Sequence, residues 1–231
     1  MAVKPQLACF ERLGAPGWGA LERVVSTAQD AGLLVVADGK RGDVPVTAKA
    51  YAQALFGSTP TQAGEIKGLG VDCVTANPLM GRDALEPILA GAQEAGGGVF
   101  ALVRTSNPGA ADILDLEAEG APLHEHLARM VAGDADRLRG DCGLSGCGAV
   151  VGATAPQHLG RLRELMPDSI FLVPGVGAQG GRPEELGPAF SEHPASVLVP
   201  VSRGIAGAPD PAAAAAELRD AVWGLSQALA R

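Results

Sequence analysis

The chain has 231 residues, 47% hydrophobic and 19% charged, which suits a water-soluble protein with one large core. A formal charge of −8 argues against a general nucleic-acid partner, whose phosphates want a basic face. No apolar run reaches the roughly 18 residues of a membrane span, and no basic segment precedes an apolar one as in a secretory leader. Ala2–Gln6 reads as the tail of a strand with Lys4 at its end, and apolar residues at helical spacing (Trp18, Leu21, Val24, Val25, Ala28) predict a helix over Trp18–Ala31. The apolar run Leu33–Ala37 predicts a strand buried on both faces, followed by a helix from Pro45 to Phe56. Strands over Val71–Thr75 and Gly98–Val103 flank a helix over Asp83–Ala95. A polar stretch over Gly109–Gly120 then leads into a helix over Pro122–Leu138 and a strand over Cys147–Val151. A helix over Pro156–Leu165, a strand over Ile170–Val173, a short helix opening at Pro183, a strand over Ser196–Val201 and a helix over Pro211–Ala230 complete the pattern.

Strand and helix alternate at a spacing near thirty residues, with no linker or change of composition, so residues 1–231 are expected to form a single domain. Alternation alone fits an open doubly wound sheet or a (β/α)8 barrel. Lys4, Asp38, Lys40, Asn77, Ser106, Gln179 and Arg203 decide between them, because they fall at or just past the ends of six different strands. An open sheet gathers its ligand at one switch point, whereas a barrel collects side chains from its whole rim. The expected fold is therefore an α/β, (β/α)8 TIM barrel of which seven βα units are visible. Cys9, Cys73, Cys142 and Cys147 show no disulfide framework, which fits a reducing cytoplasm. Cys142 and Cys147 lack the further ligands that a structural zinc requires, so no metal is expected.

The most informative stretch is Val35-Val36-Ala37-Asp38-Gly39-Lys40-Arg41-Gly42-Asp43-Val44-Pro45-Val46-Thr47. In an extended segment Asp38 and Lys40 point the same way, since the side-chain period is two. Asp43 falls in the turn beyond, ahead of a helix that Pro45 can open. Charges of alternating sign gathered at a strand end are costly to desolvate unless they pair. Two unit charges about 4 Å apart interact by roughly 4 kcal/mol at an effective dielectric near 20, enough for Asp38 to hold Lys40 charged. A second cluster lies late in the chain, where Gly175-Val176-Gly177-Ala178-Gln179-Gly180-Gly181 follows a strand. Such glycines let backbone N–H groups approach an anion, a helix N-terminus favours negative charge, and Arg203 adds a planar fork for phosphate oxygens. Ser106, in Thr105-Ser106-Asn107-Pro108, also reads as an ordinary turn residue. His124, His126, His158 and His193 fall away from strand ends and read as surface residues.

With Val35, Val36, Asp38, Lys40, Asp43, Val44, Pro45 and Thr47 in place, the central stretch resembles the signature of the orotidine 5'-phosphate decarboxylases. Its Asp-Gly-Lys-Arg-Gly-Asp wording is similar to the longer-chain bacterial subgroup. The resemblance implies a cofactor-independent carbon–carbon lyase that turns orotidine 5'-phosphate into uridine 5'-phosphate in de novo pyrimidine synthesis. It implies that Lys40 protonates C6, that Asp38 faces the substrate carboxylate, and that Lys4 links the ribose to the charged array. It further implies a homodimer in which Asp43 and Thr47 reach the neighbouring subunit's site. Ser106 would meet the pyrimidine amide edge, while Gln179, Gly180 and Arg203 would grip the phosphate. The alternatives are a metal-dependent keto-sugar-phosphate decarboxylase or hexulose-phosphate synthase on the same scaffold, and a non-catalytic phosphate-binding remnant. Family members carry an earlier strand ending in a Gly-Ile-Asp-like segment, which this sequence lacks. The expectation is an N-terminally incomplete domain, through a start assigned too far downstream or a fragment, or else a variant that closes differently.

Overall fold

In the computed structural model, residues 1–229 are described, and they divide into two compact units, one over Met1–Ala101 and the other from Leu102 onward. The first runs β1 (Ala2–Val3), α1 (Leu7–Glu11), α2 (Ala15–Asp30), β2 (Leu34–Arg41), α3 (Pro45–Leu55), β3 (Ser58–Thr61), β4 (Gly64–Lys67), β5 (Cys73–Ala76), α4 (Arg82–Ala95) and β6 (Gly98–Arg104). Its long strands lie in the order β1-β2-β5-β6, all parallel, with Ala2 opposite Leu34, Val36 opposite Cys73 and Val74 opposite Val99. Val35, Val36, Ala37, Val74 and Val99 are buried, as expected of parallel strands covered on both faces. Leu21, Val25 and Ala28 of α2 and Ala84, Leu85, Ile88, Leu89 and Ala92 of α4 supply the covering faces at helical spacing.

The second unit takes up the 102–104 end of β6. It continues through α5 (Ala111–Leu114), β7 (Glu117–Ala118), β8 (Ala121–Pro122), α6 (Leu123–Gly133), β9 (Ser145–Val151), α7 (Leu159–Leu165), β10 (Ser169–Leu172), β11 (Val197–Leu198), α8 (Arg203–Ala206) and α9 (Pro211–Leu229). β9, β10 and β11 follow one another in parallel, with Ala149 opposite Phe171 and Leu172 opposite Leu198. Inside this unit Arg163 is a buried cation with no ion pair among the described residues. Its guanidinium donates to the carbonyls of Ala189, Met166, Pro167, Ser169 and Ser196, and it lies over the Phe171 ring at 3.7 Å. Burial pulls its pKa down to about 10.

The expected alternation is present, with several corrections. The helix expected from Pro183 is two 3₁₀ turns, Pro183–Glu185 and Gly187–Ala189. Gly187 and Pro188 stop the α-helix within a turn, because proline has no N–H and clashes with the preceding turn. The strand expected over Ser196–Val201 shrinks to Val197–Leu198, where Pro200 cannot donate to a ladder. The helix expected from Pro122 to Leu138 ends at Gly133 and passes into a 3₁₀ turn over Ala135–Leu138. The closing helix agrees over its described length; Ala230, its expected last residue, lies outside the described residues. His124 is no surface residue. It is 2% exposed, on the same face of α6 as Leu127, Ala128 and Val131, and its ring meets that of His158 edge-on at 4.6 Å. Among the described residues no helix is long and apolar enough to cross a membrane, and none of the four cysteines is in a disulfide.

Candidate active site

In the first unit the register of β2 against β5 slips at the motif. Ala37 stands opposite Val74 and the next pairing is Arg41 with Ala76, so Asp38, Gly39 and Lys40 together face Thr75. Lys40 accordingly sits at φ +50°, in the left-handed region that side-chain-bearing residues rarely adopt. The slip turns the ends of Asp38 and Lys40 toward each other: Lys40 Nζ donates to Asp38 Oδ1 at 2.6 Å, while Lys4 Nζ donates to Asp38 Oδ2. Lys4 is carried there by β1, and the chain after it stays beside β2, with the Pro5 carbonyl accepting the Asp38 N–H at 3.0 Å. Thr75 is 1% exposed, and its hydroxyl donates to Asp38 Oδ1 at 2.9 Å. Burial alone would push the Asp38 carboxyl up, but the two ammonium groups outweigh it and hold the carboxyl below its ordinary value.

Asp43 and Thr47 follow on the connection into α3. Asp43 Oδ1 accepts the N–H of Val44 at 2.7 Å, and Thr47 lies half-buried in the first turn that Pro45 opens. Gly42 is needed for the close passage of this connection, since a Cβ there would stand 2.6 Å from the Asn77 carbonyl oxygen. Two residues that sequence reasoning passed over steady the next position. Arg41 pairs with Glu11 of α1, and its guanidinium lies over the Tyr51 ring at 5.4 Å. The only sequence signal was a cation flanking the motif.

In the second unit Ser106, two residues past β6, donates from Oγ to Gln179 Oε1 at 2.9 Å. Thr154 Oγ1 donates to the Ser106 carbonyl at 2.9 Å, and a Cβ on Gly152 would lie within 2.9 Å of Ser106 Cα, N and Cβ. The serine turn and the glycine-rich loop, which the sequence offered as separate features, are thus in direct contact. The loop itself differs from expectation: the N–H groups of Gly177, Gly180 and Gly181 close it onto Gly181, Gly177 and Gly175. Gly180 thus supplies a turn, at φ +95°, and no α-helix N-terminus follows. Arg203 opens the single turn of α8, exposed, with no ion-pair partner among the described residues. Behind Ser106 lies a cluster that sequence reasoning missed. Buried Arg104 makes a two-pronged pair with Asp115, at 2.7 and 2.9 Å, and His124 Nδ1 lies 3.1 Å from the same carboxylate. The Arg104 hydrogen bond and charge hold the Asp115 carboxyl below its ordinary value against some burial. Among the described residues no group of three His, Cys, Asp or Glu side chains could hold a metal ion.

Residues 1–218 match the model of the orotidine 5'-phosphate decarboxylase / HUMPS family. The chain is 44% identical over 204 residues to an orotidine 5'-phosphate decarboxylase of Rhodopirellula baltica, covering 88% of this chain and 66% of that protein. It is 44% identical over 205 residues to the orotidine 5'-phosphate decarboxylase of Deinococcus radiodurans, covering 88% of this chain and 70% of that one. The chain thus spans about two thirds of the length of these relatives. The structure of Leishmania donovani OMP decarboxylase superposes with a TM-score of 0.79 at 37% identity, covering 97% of this chain and 81% of that one. The fold is α/β, of the (β/α)8-barrel class anticipated from the strand-end residues. The chain belongs to the orotidine 5'-phosphate decarboxylase / HUMPS family.

Proposed function

We propose that this chain is a carbon–carbon lyase that decarboxylates orotidine 5'-phosphate to uridine 5'-phosphate without a cofactor. The single observation that carries the reading is the Lys4–Asp38–Lys40 array, with Lys40 Nζ 2.6 Å from Asp38 Oδ1 at the end of a buried strand. As the bond between C6 and the carboxylate breaks, its electron pair stays on C6 and carbon dioxide leaves. Lys40 donates its proton to that carbon, and the hydrogen bond to Asp38 Oδ1 holds the ammonium in place until then. A fixed cation aimed at developing negative charge is preorganised electrostatic stabilisation, which needs no rearrangement as the reaction proceeds. Asp38 and Lys4 orient Lys40, and Asp43 and Thr47 complete the neighbouring subunit's array in a homodimer. Ser106 and Gln179, already hydrogen-bonded to each other, meet the pyrimidine edge and phosphoryl group, and the exposed fork of Arg203 takes the phosphoryl oxygens. Binding energy from that dianion, remote from the reacting carbon, offsets the ordering of the loops. The composition and cysteine usage fit a cytoplasmic enzyme of de novo pyrimidine synthesis.

The test is to mix the purified chain with orotidine 5'-phosphate after treatment with a strong chelator. The fall in absorbance and the appearance of uridine 5'-phosphate are then followed. Turnover that survives the chelator is expected. No turnover of this nucleotide, together with chelator-sensitive turnover of a keto-sugar phosphate, would overturn the reading.

A further inference from the structure

β2 cannot ladder with β5 between Ala37 and Arg41, because three residues there face one. The backbone groups of that bulge need other partners, since a buried N–H left unpaired is costly. Asp38 finds the Pro5 carbonyl at 3.0 Å. Lys40 N–H finds the side chain of Thr75, whose Oγ1 accepts it at 2.9 Å. The same hydroxyl donates its proton to Asp38 Oδ1 at 2.9 Å, the oxygen that also takes Lys40 Nζ at 2.6 Å. One buried hydroxyl therefore closes a ring through the Lys40 backbone, the Lys40 ammonium and the Asp38 carboxylate.

We propose that Thr75 is a positioning residue for the decarboxylation: its hydroxyl holds Lys40 in the left-handed conformation and fixes the Asp38 oxygen against which the ammonium is aimed. The inference rests on the reading of Lys40 as the proton donor, and it adds a residue outside the Asp-x-Lys-x-x-Asp motif. Thr75 lies two residues before the Asn77-Pro78 exit of its strand. A threonine within an apolar strand there is otherwise an ordinary β-former. The hydroxyl, not the shape, is what the geometry uses, because the methyl branch would be supplied equally by valine.

The experiment compares Thr75→Val, which keeps the branched shape, with Thr75→Ser, which keeps the hydroxyl. Two readouts are taken: steady-state kinetics on orotidine 5'-phosphate, and hydrogen exchange of the Lys40 amide followed by NMR without substrate. In Thr75→Val the Lys40 amide is expected to exchange about tenfold faster while Val35, Val36 and Val74 keep their protection. The kcat is expected to fall about tenfold at nearly unchanged KM, and Thr75→Ser to restore both. Unchanged exchange and kcat in Thr75→Val would overturn the proposal. So would a loss shared by Thr75→Ser and spread over all strand amides, which marks general destabilisation. If the wild-type chain does not turn over the nucleotide, but Lys40 exchange still depends on the hydroxyl, the decarboxylase reading fails and the positioning role stands.

Discussion

At Asp38 burial and attraction oppose each other. The side chain is 7% exposed, which favours the neutral acid, yet ammonium groups stand on both its oxygens. The attraction prevails and the carboxyl is held below its ordinary value. The sign of the pH dependence follows. A carboxyl with a lowered folded-state pKa contributes stability that is fully present above its unfolded value. That contribution is lost as the pH falls through the lower folded value. Asp38→Asn should therefore unfold at lower urea than wild type at neutral pH, by about 1–3 kcal/mol. This is less than for a fully buried pair, because the Lys40 side chain is 44% exposed. The gap should begin to narrow only below about pH 4, the unfolded carboxyl's value, and close below the still lower folded value, where the wild-type carboxyl also loses its charge. An equal gap at both pH values would show that shape, not charge, is what Asp38 contributes.

Among elements, glycines set how closely the strand ends approach. Gly152, just past β9, packs against the backbone of Ser106, where an added Cβ would come within 2.7 Å of Cα. Gly152→Ala must therefore displace the serine turn and its hydrogen bond to Gln179. We expect a cost of about 1–3 kcal/mol, seen as a lowered Tm, together with a raised KM for the nucleotide. Gly224→Ala, in α9 with nothing within 4 Å, is the control. It should be neutral or up to about 1 kcal/mol stabilising, from helix propensity. A Gly152→Ala protein with the melting temperature and KM of wild type would remove the serine turn from the account. Elements of this kind were legible in the sequence to different depths. The period-two spacing of Asp38 and Lys40 and the apolar run before them predicted one charged array at one strand end, and the structure has it. The register slip, the left-handed Lys40 and the role open to Thr75 were not legible, because they arise from pairing with another strand. The exposed antiparallel pair β3–β4 carries no alternating apolar pattern, so the sequence predicts no strand there. His124 shows the opposite failure: its distance from any strand end reads as surface, whereas the 124, 127, 128, 131 face of α6 is what buries it.

Over the whole molecule, each unit has its own succession of parallel strands and its own chemistry. The first unit gathers cations about one buried carboxylate. The second offers a hydrogen-bonded serine–glutamine pair and Arg203, which has no carboxylate partner among the described residues. Each set joins a local motif to residues far away in the chain: Lys4 and Thr75 reach Asp38 from 34 and 37 residues away, and Ser106 reaches Gln179 from 73. The account makes the reaction depend on the first set and the phosphate affinity on the second, so the two properties must separate on mutation. The most direct measurement is on Lys40→Ala, with turnover of orotidine 5'-phosphate and binding of uridine 5'-phosphate followed in the same preparation. The account predicts turnover reduced by at least about a thousandfold, roughly 4 kcal/mol of transition-state stabilisation, with nucleotide affinity changed by less than about tenfold. Turnover within about tenfold of wild type would contradict it.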